Sequence, residues 1–261
     1  MSDFDTVSQT ARAYEPDEAV LAGRVILVTG ATQGIGRAVA QALVRCGAQT
    51  VLLGRKLKAL DELHAELSPL GPEPAMAMLD FERAQGEQYN ELTDQIESRF
   101  GRLDGLLHNA GILGDRSPIE FYDIGTWQKV MHVNVNAQFI LTRCLLPLLK
   151  LSEDASVVFT TSTVGHQGRA HWGAYAASKF ATEGLAQVLA AELANSPIRV
   201  NSINPGSTRT RMRSQAFPGE DPETLPAPEE IVNPYLYLLG PASRGTTGVR
   251  IACQQKPPSR G

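Results

Sequence analysis

The chain has 261 residues, 43% of them hydrophobic and 20% charged, with a net charge of −4. A chain of this length buries a core without a disulfide or metal staple, and its ordinary composition suits one large or two small globular domains. Residues 1–20 carry five acids and one base, which leaves the other 241 residues electrically neutral; a protein that coats nucleic acid needs a basic excess, and no run of 18 apolar residues is present to span a membrane.

The acidic start lacks the apolar run of a secretory signal. The three cysteines (Cys46, Cys144, Cys253) are far apart and form no CxxC, so they read as reduced thiols in a cytoplasmic protein. The five histidines show no paired ligand spacing, and no metal site is expected.

In chain order, the apolar run 24–29 reads as a strand and ends at Gly30. Residues 35–46 have helical spacing, 50–53 are apolar again, and 57–67 form a charged helix. A third strand at 75–79 precedes a helix over 87–100, and a fourth strand covers 103–107. One long helix is expected over 124–149, then a strand at 156–161, a helix at 174–193, and a strand at 198–203. A helix near 228–239 and a strand near 249–252 close the pattern. Continuous apolar strands alternating with helices predict an α/β fold, a doubly wound parallel sheet covered on both faces in three layers. No repeat or linker is evident. A single Rossmann-type catalytic domain is therefore expected over 22–253, with a flexible acidic extension over 1–21 and a flexible tail over 254–261. The Pro- and acid-rich stretch 217–230 reads as an inserted loop.

The segment Thr29-Gly30-Ala31-Thr32-Gln33-Gly34-Ile35-Gly36 lies between the first strand and the first helix. Glycines there permit a tight turn and a close approach of backbone to a pyrophosphate, which the helix N-terminus attracts. An acid at the end of the second strand would hold ribose hydroxyls and repel a 2′-phosphate. Gly54, Arg55 and Lys56 stand there instead, which favours NADP(H) over NAD(H) through a guanidinium–phosphate contact. The competing reading is two solvated charges opening a helix, although bases at a helix N-terminus oppose its dipole.

Tyr175 and Lys179 fall on one face of a helix, where an ammonium lowers the pKa of a phenol and prepares it for proton exchange. Such a pair also arises by chance on surfaces. Ser162 ends the fifth strand and is placed to hydrogen-bond a reacting carbonyl. Asn109-Ala110-Gly111 closes the fourth strand, where a nucleotide crosses a parallel sheet. Asn134 lies among apolar helix residues and is either functional or a satisfied buried amide.

TGATQGIG (29–36), Asp80, HNAG (108–111), Asn134, Ser162, YAASK (175–179) and NPGSTRT (204–210) together resemble the short-chain dehydrogenase/reductase family over residues 22–252. LLHNAGILGD (106–115) and GRAHWGAYAASKFATEG (168–184) are similar to bacterial YciK-type oxidoreductases. The resemblance implies Tyr175 as acid/base, and Lys179 on the nicotinamide ribose and tuning Tyr175. It implies Ser162 on the substrate carbonyl, and Asn134 holding a relay water. It further implies Asp80 on adenine, Asn109 and Gly111 in the cleft, and Pro205, Gly206 and Thr210 on the carboxamide, with Thr208 among the cofactor residues. The substrate would be a small carbonyl compound or alcohol, with the chain acting as a homodimer or homotetramer. His108 replaces the family's usual Asn and is read as structural. The family's C-terminal Asp and double Gly are missing.

Specificity is expected in residues 112–117, 163–172 and 207–230. Arg209, Arg211 and Arg213 either anchor an acidic substrate or carrier protein, or pair with Glu220, Asp221 and Glu223. Arg169 and Trp172 are left between substrate contact and packing. The alternatives to a general carbonyl reductase are a 3-oxoacyl-carrier-protein reductase and a non-catalytic nucleotide sensor.

Overall fold

The apolar run of the first strand becomes the middle of the sheet because it is buried on both faces. In the computed structural model, which describes residues 3–255, all five residues of strand β1 (Val25–Thr29) are buried. Helix α1 (Asp3–Arg12) precedes it. After it come α2 (Gly34–Arg45), β2 (Gln49–Gly54), α3 (Leu57–Leu67), β3 (Ala75–Met78), α4 (Gly86–Phe100) and β4 (Gly105–His108). Then follow α5 (Ile124–Met131), α6 (Ala137–Leu149), β5 (Ala155–Thr160), α7 (Gly173–Glu192) and β6 (Ile198–Asn204), with α8 (Arg211–Ala216), α9 (Asn233–Leu239) and β7 (Arg250–Ala252) last.

Every strand pair is parallel, and the sheet order is β3-β2-β1-β4-β5-β6-β7. The chain therefore winds outward one way from β1 and then the other way from β4. The reversal between β1 and β4 opens a crevice at their carboxyl ends. Tyr89, Leu141, Leu145 and Leu189 of α4, α6 and α7 fill one face, while Val39, Leu43, Leu60, Tyr235 and Leu238 of α2, α3 and α9 fill the other. This is the expected three-layer, single-domain Rossmann-type architecture.

Two local expectations are corrected. The helix expected over 124–149 is broken by a π-helical turn at His132–Asn136, which separates α5 from α6. Such turns insert an extra residue and re-aim the side chains around them. The extension over 1–21 is folded and packed rather than flexible, at least over residues 3–21. Ala11 and Leu21 are fully buried, and the Tyr14 ring meets Tyr237 edge-on at 5.6 Å. Arg12 donates to the Ala252 carbonyl at 3.1 Å, and the Ala252 N–H donates to Ser8 Oγ at 3.1 Å. An amphipathic helix thus satisfies the open backbone groups of an edge strand, which is one way proteins protect such edges. The proposed tail begins with an ordered residue as well, because Gln254 is hydrogen-bonded; residues 256–261 lie outside the described residues. Among the described residues, no helix is long and apolar enough to cross a membrane, and no cluster of His, Cys, Asp and Glu is arranged to hold a metal.

Candidate active site

The glycine turn is shaped by contacts that no side chain would allow. Gly30 and Gly34 have φ of +65° and +53°, in the left-handed region. A Cβ on Gly36 would lie 2.3 Å from the Gly30 carbonyl oxygen and 2.4 Å from Asn109 Nδ2. Helix α2 starts immediately afterwards, and Gln33 at its cap makes no side-chain capping bond. Its first N–H groups are therefore open to an anion in the crevice. Thr29 fixes the neighbouring strand end, since its Oγ1 accepts the N–H groups of Asn109 and Ala110 at 2.9 and 3.0 Å.

The crevice wall includes Gly30, Thr32, Gln33, Gly34, Ile35, Arg55, Asp80, Asn109, Gly111, Tyr175, Lys179, Pro205 and Thr210. Gly36 and Thr208 are buried behind that wall, and Gly206 packs on Gln254. At the β2 end, a Cβ on Gly54 would meet Thr32 Cγ2 at 3.0 Å and Leu60 Cδ2 at 3.2 Å. A side chain at this position would have to push the Thr32 and Leu60 methyl groups aside by a few tenths of an ångström. Arg55 is exposed beside it and has no carboxylate partner among the described residues.

The proposed catalytic residues converge at the other end. Tyr175 is buried to 8% exposure, and its phenol is hydrogen-bonded by the Ser162 hydroxyl. Lys179 Nζ lies 5.7 Å from the Tyr175 ring centroid and donates to the Thr160 carbonyl at 2.7 Å. Asn134 sits in the π turn with no exposed surface. Its amide accepts from the Ile112 N–H at 2.8 Å and donates to the Ile112 carbonyl and Ser178 Oγ at 2.9 and 3.0 Å. These bonds engage both polar atoms of the side chain. It braces the loop after β4 against α7. Gly111 makes room for this, since a Cβ there would stand 3.2 Å from Asn134 Oδ1 and 3.9 Å from Lys179 Nζ.

Burial reverses the expected direction of the tyrosine shift. Desolvation pushes the Tyr175 phenol up to about 12, and the Ser162 hydrogen bond only partly offsets it. Burial also brings the Lys179 ammonium down to about 8, opposed by the Glu183 carboxylate. His108 is structural, as expected. It stacks on Phe159 at 4.6 Å, its Nε2 meets Thr142 Oγ1 at 2.8 Å, and burial followed by the Lys179 charge lowers its pKa to about 3.

An apolar mouth formed by Leu113, Val164, Trp172, Met212 and Phe217 closes around Tyr175. Trp172 packs, with its ring 5.8 Å from both Tyr175 and Phe217. The Arg116 guanidinium covers the Trp172 and Phe217 rings at 4.7 and 4.9 Å. Both residues fall in the segments expected to set specificity, 112–117 and 207–230, but sequence reasoning did not single them out or pair them, because one guanidinium and one ring 101 positions apart carry no local pattern. Arg209 pairs with Glu223 at 2.6 Å, and Arg213 grips Glu220 through two bonds of 2.5 and 2.6 Å. Arg211 reaches the crevice wall.

A doubly wound sheet with a glycine turn at its switch point, and a buried Tyr–Lys pair beside it, defines a Rossmann-type oxidoreductase. The family model for short chain dehydrogenases matches residues 24–221, and the chain belongs to that family. It is 50% identical over 242 residues to the uncharacterised oxidoreductase YciK of Escherichia coli strain K12, covering 92% of this chain and 96% of that one. Two solved structures are similar. A short chain dehydrogenase from Pseudomonas syringae shares 53% identity at a TM-score of 0.89, covering 92% of this chain and 99% of that one. One from Escherichia coli CFT073, complexed with NADPH, shares 50% identity at a TM-score of 0.90, covering 92% and 100%.

Proposed function

We propose that this chain is an NADP(H)-dependent oxidoreductase that interconverts a carbonyl and an alcohol on a small molecule, with Tyr175 as the proton donor and acceptor. The observation that carries the reading is the Tyr175 phenol, held by Ser162 at the meeting point of a nucleotide-shaped crevice and an apolar mouth. The NADPH complex of the Escherichia coli CFT073 relative supports the choice of cofactor.

The residues fit such a cofactor. The open N–H groups of the turn over Gly30, Thr32, Gln33, Gly34, Ile35 and Gly36 suit a pyrophosphate, and unpaired Arg55 beside side-chain-free Gly54 suits a 2′-phosphate. Asp80 would hold adenine. Asn109 and Gly111 would line the middle of the crevice. Lys179 would hold the nicotinamide ribose, and Pro205, Gly206 and Thr210 the carboxamide. Bound nicotinamide supplies or accepts the hydride.

Ser162 and Tyr175 orient the carbonyl oxygen by hydrogen bonds from their hydroxyls. With its pKa near 12, Tyr175 is a neutral phenol at physiological pH and donates its proton to the oxygen as charge develops there. In the oxidative direction the same phenolic oxygen accepts a proton from the alcohol. Lys179, charged below about pH 8, favours that deprotonated form. The aromatic mouth limits access of water. Of the three arginines behind the acyl-carrier reading, Arg209 and Arg213 are paired within their own loop, and Arg211 on the crevice wall is what supports it.

The test is Tyr175→Phe. A panel of ketones and aldehydes with NADPH should lose at least about a thousandfold in kcat, consistent with the loss of a general acid, while NADPH affinity stays nearly unchanged. Full turnover by the variant would refute the mechanism. A panel that the wild type never turns over, despite tight NADPH binding, would restore the nucleotide-sensor reading.

A further inference from the structure

The chain lacks the family's usual C-terminal Asp and double Gly, and the residue that follows β7 is engaged elsewhere. The side-chain Nε2 of Gln254 donates to the Pro205 carbonyl at 2.9 Å and the Ser207 carbonyl at 2.9 Å, and meets Thr208 Oγ1 at 3.3 Å. Three of the four residues of the 205–208 loop thus meet one amide. Gly206 completes the fit. Its φ is +76°, a conformation that favours glycine, and a Cβ there would lie 2.9 Å from Gln254 Cδ and push the amide from its place.

The amide is itself anchored on both sides. The Cys253 N–H donates to the Asn204 carbonyl at 2.9 Å, which joins the end of β7 to the start of the loop. On the outer edge, Ser8 and Arg12 of α1 take up the N–H and carbonyl of Ala252. Helix α1 and Gln254 both lie outside the residues that the family model matches. The two ends of the chain thus meet beside the crevice.

We infer that Gln254 is a positioning residue that sets the shape of the 205–208 loop and so the affinity of the crevice for the nicotinamide half of the cofactor. The inference rests on the placement of the carboxamide at Pro205 and Gly206 proposed above. Gln254 touches no reacting atom. Its two N–H hydrogens hold carbonyls that otherwise turn toward solvent or into the crevice.

The test compares two ligands on purified full-length protein by titration calorimetry. NADPH has both halves, whereas adenosine 2′,5′-bisphosphate has only the adenine half. Gln254→Ala and the isosteric Gln254→Glu, which has no donor to offer the carbonyls, should each weaken NADPH roughly tenfold, the effect of losing about one net hydrogen bond's worth of order. Both variants should bind adenosine 2′,5′-bisphosphate as the wild type does, and the KM for NADPH should rise by more than kcat falls. Unchanged NADPH affinity in both variants would overturn the inference. So would equal weakening of both ligands, which is the signature of general misfolding. Retention of affinity by Gln254→Glu alone would show that bulk, not donation, matters, and would overturn it too. A wild type that binds the two ligands equally tightly would overturn the nicotinamide placement as well.

Discussion

Replacing Arg55 by alanine tests cofactor choice most directly. Arg55 is exposed, follows Gly54 at the end of β2, and has no carboxylate partner among the described residues. Its guanidinium is therefore available to the 2′-phosphate at no cost of breaking another pair. Two opposite charges about 4 Å apart interact by about 1 kcal/mol in bulk water and about 4 kcal/mol at the edge of a protein. A half-solvated pair on the crevice rim falls near the middle, at about 2 kcal/mol, which is about thirtyfold in affinity. Arg55→Ala should accordingly weaken NADPH by about thirtyfold at low salt and leave NADH, which has no such phosphate, within about twofold. The difference should shrink as ionic strength rises. Dissociation constants for both nucleotides at two salt concentrations measure this. An unchanged NADPH-to-NADH ratio, in Arg55→Ala and again in the double variant that also replaces the adjacent exposed Lys56 by Ala, would refute the reasoning.

Asp154 accepts from Arg199 Nε at 3.0 Å, Arg24 Nη1 at 3.1 Å and Arg244 Nε at 3.2 Å. Arg199 and Arg24 are mostly buried, so Asp154→Asn should cost about 3–5 kcal/mol in urea unfolding by leaving them unpaired. Burial raises the Asp154 pKa, but the Arg199 and Arg24 charges more than offset this and hold it below the ordinary value. Its stabilisation is therefore complete above the usual carboxylate range and lost as pH falls below it, an acid limb the variant should lack. For His108 the sign is the other way round for charge but equal in effect. With a folded pKa near 3, the unfolded chain binds more protons between about pH 6.5 and 3. Stability should fall by up to about 2 kcal/mol between pH 7 and 5, and His108→Asn should remove that part of the fall. The rate of carbonyl reduction should be flat with pH up to about 8 and decline above it as the Lys179 ammonium neutralises. A rate that climbs steadily through pH 8 would contradict that role for Lys179.

The sheet was legible because burial on both faces demands uninterrupted apolar strands, as in Val25–Thr29 and Ala155–Thr160. The glycine turn was legible because Gly30 and Gly34 occupy conformations that other residues avoid. Helical spacing alone could not reveal the π turn, since a single inserted residue leaves the apolar pattern of 124–149 intact on either side. The N-terminal helix was hidden by its charge. Asp5 is exposed, while Ala11 is buried and Ser8 and Arg12 of the same helix bond the edge of β7. The direction of the Tyr175 shift was misjudged because spacing gives proximity to Lys179 but not depth. The ammonium points at the Thr160 carbonyl, and desolvation of the phenol dominates. Gln254 has no signature, because its role depends on a loop 49 residues away.

The placement of cations sorts the functional ones from the solvated ones more sharply than their number does. Arg209 and Arg213 sit next to the mouth but are matched by Glu223 and Glu220. Arg24, Arg199 and Arg244 are gathered on Asp154. Among the described residues, the three cations on the crevice wall, Arg55, Lys179 and Arg211, form no ion pair, and Glu82 on the same wall is taken by Lys129 at 2.7 Å. A neutral body thus leaves a net positive crevice, and low-dielectric walls focus such a field onto an anion. Each of the three meets a different demand along it. Arg55 faces the end where a 2′-phosphate distinguishes one nicotinamide cofactor from the other, Arg211 stands by the Gly34 turn where a pyrophosphate crosses, and Lys179 lies buried behind the phenol. A polyanion with separated charge demands fits that spacing, whereas a neutral ligand would leave the buried Lys179 ammonium without a counter-charge and make no use of the exposed Arg55 and Arg211.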